Sequence, residues 1–320
     1  MSFRIILPAI LLFFVSTQLQ AQKIHAEPGD FKQIFARPLI VELLEEDPKI
    51  VAHFEKITKK HPTAKADYLS FIALYNENIK MAVSKFWTAN KEVEYRTTSD
   101  IQTLVKKKNK TYAVLYYSES AEQFVDYATN KNVVVPTLNF TRMEHHNGKV
   151  DYSIFLPISF LTPHDDYIES DLIFGVQFIQ RNIEYMIAKN VKMSASAYAK
   201  TFGVTCTELQ TKTLLLDNKL MANNASIEEI KNNYKYKFTF TDAKKINEAV
   251  ETSDTESAYL VSLPYEKHTA SPNAASSILC IRLVIDPKDG NILSNMGTAI
   301  SESKTNIFLT QDFATCDTCK

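Results

Sequence analysis

Between Asp166 and Asn190 the chain carries a helical pattern that is apolar on two faces. Ile168, Leu172, Val176, Ile179, Ile183 and Ile187 recur every three or four residues and form one stripe, while Ile173, Phe174, Phe178 and Tyr185 form a second. A helix that is apolar on one side lies on a core, whereas one that is apolar on two sides has to be covered from both. The pattern therefore predicts a central rod with other layers packed around it, and the rest of the chain has to supply those layers.

The flanking segments carry matching material. Val93, Tyr95 and Thr97 alternate as in a strand, Ser99 and Asp100 cap a helix running to Lys107, and Thr111–Tyr117 returns to a β-rich run. A hairpin follows around Asn147-Gly148, between Val133–Met143 and Val150–Ile158. The same order recurs 145 residues later. Tyr236, Phe238 and Phe240 alternate, Thr241-Asp242 caps a helix through Ile246, Ala249 and Val250, Ala258–Ser262 forms a strand, and Asp289-Gly290 turns a hairpin between Ile278–Asp286 and Asn291–Ile300. These patterns predict an α+β (or α/β) fold of two similar strand-helix-strand-hairpin units joined by the buried helix. The expected boundaries are a mainly helical amino-terminal segment over 22–90, a first unit over 91–165, the connecting helix and linker over 166–205, and a second unit over 206–320. The second unit opens with the strand-like Thr213–Asp217.

Residues 1–21 read as a secretory signal. Arg4 supplies the positive start, Ile5–Val15 the apolar core, and Ala21 the small residue before a cleavage point at Gln22. This places the mature chain in the periplasm or outside the cell. No apolar run after Val15 approaches the roughly 18–20 residues of a membrane-spanning helix, so no transmembrane segment is expected in the mature chain. Apolar residues at 45% and charged residues at 23% fit a folded globular protein. The formal net charge of −1 provides no broad positive field, which argues against a nucleic-acid partner.

The glycines restrict the chemistry further. There are six, and the closest two, Gly290 and Gly297, are seven positions apart. Dinucleotide fingerprints, phosphate loops and nucleophile elbows all need closer glycines, because backbone must turn sharply or approach a ligand where a Cβ would intrude. None of these motifs can be present, and no cofactor is predicted.

Two constellations remain as candidates for chemistry. Glu144, His145 and His146, with His164, Asp165 and Asp166, carry metal-ligand chemistry if the hairpin folds its tip back toward the start of the long helix; turn and helix-cap roles also account for them. Cys316 and Cys319 have dithiol spacing but lack the strand-to-helix setting that activates a thiol, so a structural or labile disulfide, or two idle thiols, is preferred to redox chemistry. Cys206 and Cys280 belong to no motif. All four cysteines lie in the second half, so any crosslink belongs there.

Lys237-Phe238-Thr239-Phe240, Ala258-Tyr259-Leu260-Val261 and Arg282–Asp286 before Asp289–Leu293 resemble, in pattern, the small α/β domains of bacterial envelope proteins such as the amino-terminal domain of the periplasmic Tol-Pal component. The resemblance covers residues 234–301, implies a role in protein contacts, and carries no activity with it. The expected function is a soluble, exported binding or scaffold protein of the cell envelope without turnover chemistry. Its partner would be an envelope protein or small ligand in a groove beside the long helix, with Tyr116, Tyr117 and Tyr265 as candidate contacts. The alternatives are a metal-assisted hydrolase using the His145, His146 and His164 cluster, and a thiol redox accessory using Cys316 and Cys319.

Overall fold

The computed structural model describes residues 28–107, 109–126, 131–142, 144–146, 149–151, 155–159, 168–193, 195–202, 206–221, 226–267, 277–299 and 308–317. The fold is α+β, with two five-stranded mixed sheets.

The first half opens with α1 (Pro28–Phe35) and β1 (Leu39–Leu43), followed by α2 (Pro48–Ile57), α3 (Ala64–Phe86), β2 (Val93–Thr97) and α4 (Thr98–Lys106). It closes with β3 (Ala113–Asp126), β4 (Lys131–Arg142), the short hairpin β5 (Glu144–His146) and β6 (Lys149–Asp151), and β7 (Phe155–Ser159). The first sheet has the order β2-β1-β3-β4-β7, parallel among β2, β1 and β3 and antiparallel thereafter. Then come α5 (Ile168–Lys189), α6 (Ala195–Ala199), α7 (Cys206–Thr211), β8 (Thr213–Asp217), α8 (Ile227–Asn233), β9 (Phe238–Thr241) and α9 (Ala243–Glu251). The chain ends in β10 (Ser257–Lys267), β11 (Ser277–Ile285), β12 (Ile292–Ala299) and a 3-10 helix over Thr310–Asp317.

The second sheet has the order β9-β8-β10-β11-β12, with the same pattern of parallel and antiparallel neighbours as the first. Registers agree as well. Leu39 lies between Val93 and Ala113, and Leu214 between Phe238 and Ala258. The exits of the two crossover helices also match: Asn109 N donates to Leu104 O and Asp254 N to Ala249 O, and each of these side chains then accepts from the amide two residues on.

β1, the middle of the three parallel strands of the first sheet, falls within the segment that reads as helix in the sequence. Leu39-Ile40-Val41 is buried on both faces, so it shows no alternation, and Pro38 ahead of it mimics a helix stop. After Pro62 the ambiguous pattern resolves into the single helix α3. The α4 cap is Thr97, whose Oγ1 accepts from Asp100 N, two residues before the expected Ser99. Asp242 caps α9 as its sequence suggests.

Helix α5 is the rod that the sequence predicts. It packs against α1, α3, β4 and β7 on one side and α9 on another, and buries Leu172, Ile173, Phe174, Val176, Phe178, Ile179, Ile183 and Met186. Each of these side chains contributes about 1.5–3 kcal/mol by leaving water. The helix ends at Asn190, whose positive φ of 54° supplies a left-handed stop. A single apolar cluster runs from Phe31 through α5 to Phe313, so both sheets share one core. A smaller cluster of Ile40, Ile101 and Val114 holds α4 on the opposite face of the first sheet. Among the described residues no helix is long and apolar enough to cross a membrane.

Two polar anchors fix peripheral pieces to this core. Buried Asn90 accepts from Trp87 Nε1 at 3.0 Å and donates to the carbonyls of Ile34, Phe35 and Arg37, closing the carboxyl end of α1. Arg282 of β11, 2% exposed, donates to Asp312, while its guanidinium lies 5.6 Å from the Phe308 ring centroid. This contact ties the terminal 3-10 helix to the second sheet.

Candidate functional site

The turn from β11 to β12 is built to lean on α5. Asp286 O accepts from Gly290 N at 2.8 Å, Asp286 Oδ1 accepts from Lys288 N, and Asp289 Oδ1 accepts from Asn291 N. Gly290 is required twice over: its φ is +71°, and a Cβ there would stand 2.4 Å from Gln177 Oε1. Arg181 of α5 donates to Asn291 Oδ1 and pairs with Asp289 Oδ2 at 3.3 Å, which fixes the turn along the helix. Beneath it, Lys212 donates to Asp286 Oδ1 at 3.1 Å and to Thr255 O at 2.6 Å, with both charged side chains almost wholly buried.

This docking leaves a groove of about 550 Å³ along α5. One wall is the end of α3, where Lys85 and Phe86 stand; another is the docked turn, with Lys288 and Asp289. The floor is the polar strip of α5, Gln177, Gln180, Arg181, Glu184 and Ala188, with Tyr185 and with Tyr198 from α6. The ions on these walls are largely committed. Lys85 donates to the carbonyl of Glu251 at the end of α9, and Gln180 is bonded to Thr88 and to Glu184. Tyr198 packs against Phe178, Tyr185 and Phe202 at 5.0–5.3 Å, and burial pushes its hydroxyl up to about 12. Gln177 is different. It is 5% exposed, and its Oε1 has no hydrogen-bond partner among the described residues, an arrangement that costs about 1–3 kcal/mol while it persists.

No protein-family model, no curated protein and no solved structure matches the chain.

A second polar cluster sits at the carboxyl end of β1. Glu42, 8% exposed, accepts from Thr98 Oγ1 at 2.9 Å and from Tyr117 N at 3.2 Å, yet burial pushes its carboxyl up to about 7. Tyr75 is wholly buried beside Tyr117, with ring centroids 5.2 Å apart, and its hydroxyl has no partner among the described residues. Burial and the nearby Glu42 raise that hydroxyl well above its ordinary value. Glu45, by contrast, accepts from Ser99 N and Ser99 Oγ at the start of α4, which lowers its carboxyl.

The residues chosen from sequence stand elsewhere. Tyr117 packs with Phe71 and Tyr75 against the main core, and Tyr116 packs on the other sheet face with the cluster around Ile40. Tyr265 lies in β10 opposite Leu279. Neither Tyr116 nor Tyr117 lines the groove. Glu144, His145 and His146 form β5, paired with Asp151, Val150 and Lys149, whereas His164, Asp165 and Asp166 lie outside the described residues. Among the described residues no group of three or more metal-ligating side chains comes together. Cys280 is buried in β11, Cys206 begins α7, Cys316 falls in the terminal 3-10 helix, and Cys319 lies outside the described residues. No disulfide is formed among the described residues.

The groove residues escaped sequence reading because Gln177, Gln180, Arg181, Glu184 and Ala188, taken alone, look like the solvated side of a helix. The available signal was that α5 has no side to spare: a polar strip on a rod covered from two directions must line a gap or meet a partner.

Proposed function

We propose that the chain is an exported binding or scaffold protein of the bacterial cell envelope that holds a small ligand, or a segment of an envelope partner, in the groove along α5 without turning it over. The observation that carries this reading is the groove itself, walled by elements of both halves and floored by the polar strip of α5. The pairing of Arg181 with Asp289, and of Glu184 with Gln180, supports holding over catalysis, since each charge is already engaged. The character of residues 1–21 supports export. The common strand order and register of the two sheets support their descent from one duplicated unit.

Native mass spectrometry of protein recovered from its own envelope fraction tests the reading, with Ala188→Trp as control. Ala188 is exposed on the groove floor, so a tryptophan there fills the space without entering the core. A retained adduct that disappears in Ala188→Trp supports the groove. An adduct that survives the substitution, or substrate turnover by the purified protein, removes the proposal.

A further inference from the structure

We propose that the outer edge of β9 takes an extended, acidic segment of a partner protein as an added strand. This surface is separate from the α5 groove, whose lining includes no residue of β9, and neither site needs the other.

β9 is an end strand of the second sheet, and among the described residues no strand pairs with its far side. Leu214 N donates to Lys237 O at 2.9 Å, and Leu214 stands opposite Phe238. In a parallel ladder that register turns the amides and carbonyls of alternate residues toward one neighbour. Thr239 therefore bonds β8, while Phe238 and Phe240 hold their backbone groups away from it. Of these, Phe240 O takes a long contact from the adjacent Thr239 hydroxyl at 3.5 Å. Phe238 N, Phe238 O and Phe240 N are placed to pair with another chain.

Beside this backbone edge runs an apolar row. Tyr236, Phe238 and Phe240 alternate onto one face, half-buried against the main core, with the last two rings edge to face at 6.1 Å. A strand laid along β9 covers what remains exposed of these rings with its own alternate side chains, which have to be apolar.

Charge selects the occupant. Residues 231–245 contain five lysines, all exposed, and one acid, Asp242, whose carboxylate is engaged in capping α9. Of the acids flanking this stretch, Glu229 closes the capping box of α8 and Glu248 meets Lys245 at 3.4 Å, while Glu228 stands in the first turn of α8. The equivalent window of the first sheet, 86–100, carries Lys91 and Arg96 against Glu92, Glu94 and Asp100, and its edge strand β2 pairs Arg96 with Glu94 at 2.6 Å. One of two matched edges is thus positive and the other balanced. Lysines beside an edge strand repel a second copy of the same edge. They attract a strand that carries aspartate or glutamate.

The test is fluorescence anisotropy of the purified chain with a short blocked peptide that alternates glutamate and valine. Its controls are the same peptide methylated at its central backbone nitrogens and a lysine-valine counterpart. Hydrogen exchange read by mass spectrometry over residues 237–241 locates the contact, and circular dichroism confirms that the variant is folded. The expected result is saturable binding of the glutamate peptide and slower exchange over 237–241 in its presence. Affinity should fall about tenfold in the double variant Lys237→Glu, Lys244→Glu, and neither control peptide should bind. No binding by the glutamate peptide, equal binding of its methylated form, or binding that leaves exchange over 237–241 unchanged removes strand addition. Equal binding of the lysine peptide removes the acidic partner. A dimer in sedimentation that protects 237–241 without any peptide overturns the proposal in favour of a second copy.

Discussion

Glu42 makes the stability of this fold depend on pH in a direction opposite to that of most carboxylates. Burial disfavours the charge and pushes its carboxyl up to about 7 from the ordinary 4.5. Between those two values the folded chain holds a proton that the unfolded chain has released. Stability from this residue is therefore fully present below about pH 4.5 and is lost as the pH rises through 7. The difference between the two values corresponds to about 3 kcal/mol. Glu42→Gln removes the titration while keeping the shape. Both contacts can persist, with the amide oxygen accepting from Tyr117 N and the amide nitrogen donating to the Thr98 hydroxyl. The measured quantity is the difference in unfolding free energy between variant and parent, from urea titrations at pH 4.5, 6, 7 and 8. That difference should move in the variant's favour by about 3 kcal/mol across the range. The shifts of Glu45, Glu169 and Asp312 are common to both proteins and cancel in the difference. Two parallel curves would show that Glu42 is solvated and that the burial argument is wrong.

Three further outcomes follow from the same geometry. Asn90→Ala should cost about 2–3 kcal/mol in chemical unfolding, since it strands the Trp87 indole donor and the carbonyls at the end of α1; a loss under about 0.5 kcal/mol would refute that role. Asp312→Ala should lower stability by about 3 kcal/mol by taking the carboxylate from the buried Arg282, and limited proteolysis should then cut first in the terminal 3-10 helix. Gly290→Ala should cost about 1–2 kcal/mol from its left-handed backbone alone, and by displacing Gln177 it should weaken groove binding beyond what the change in melting temperature accounts for.

The parts of this fold that were legible in the sequence are those where periodicity and burial agree. The rod over Ile168–Lys189, the strand-helix-strand patterns around Val93 and Phe238, and the Asp289-Gly290 turn each carry a local signal strong enough to survive tertiary context. β1 was not legible, because a strand covered on both faces loses its alternation and a short apolar run such as Leu39-Ile40-Val41 reads equally as helix. The groove was not legible for a different reason. Its floor is a helical strip and its wall a turn more than a hundred residues away, and their meeting depends on packing that no local window contains. Tyr116 and Tyr117 invited a surface role as adjacent aromatics, yet each packs on one face of the same strand.

The equivalence of the two sheets sharpens the meaning of Glu42. In the matched registers, Glu42 of β1 and Asp217 of β8 occupy the same place, two buried acids at the carboxyl ends of the middle parallel strands. Asp217 is one methylene shorter and bends onto its own chain, accepting from Lys219 N at 2.7 Å to start a 3-10 turn. Glu42 reaches across instead to Thr98, the first residue of α4; the corresponding residue of α9 is Ala243, which offers no hydroxyl. The same register position thus starts a 3-10 turn in one sheet and bonds the first residue of a crossover helix in the other. Each sheet also holds a wholly buried tyrosine whose hydroxyl has no partner among the described residues, Tyr75 near Glu42 and Tyr259 in β10. A feature needed merely to end the strand would look alike in both places. The difference lies in which first-turn group each acid meets, and the Glu42→Gln variant, compared for ligand retention as well as stability, separates a demand of folding from a demand of binding.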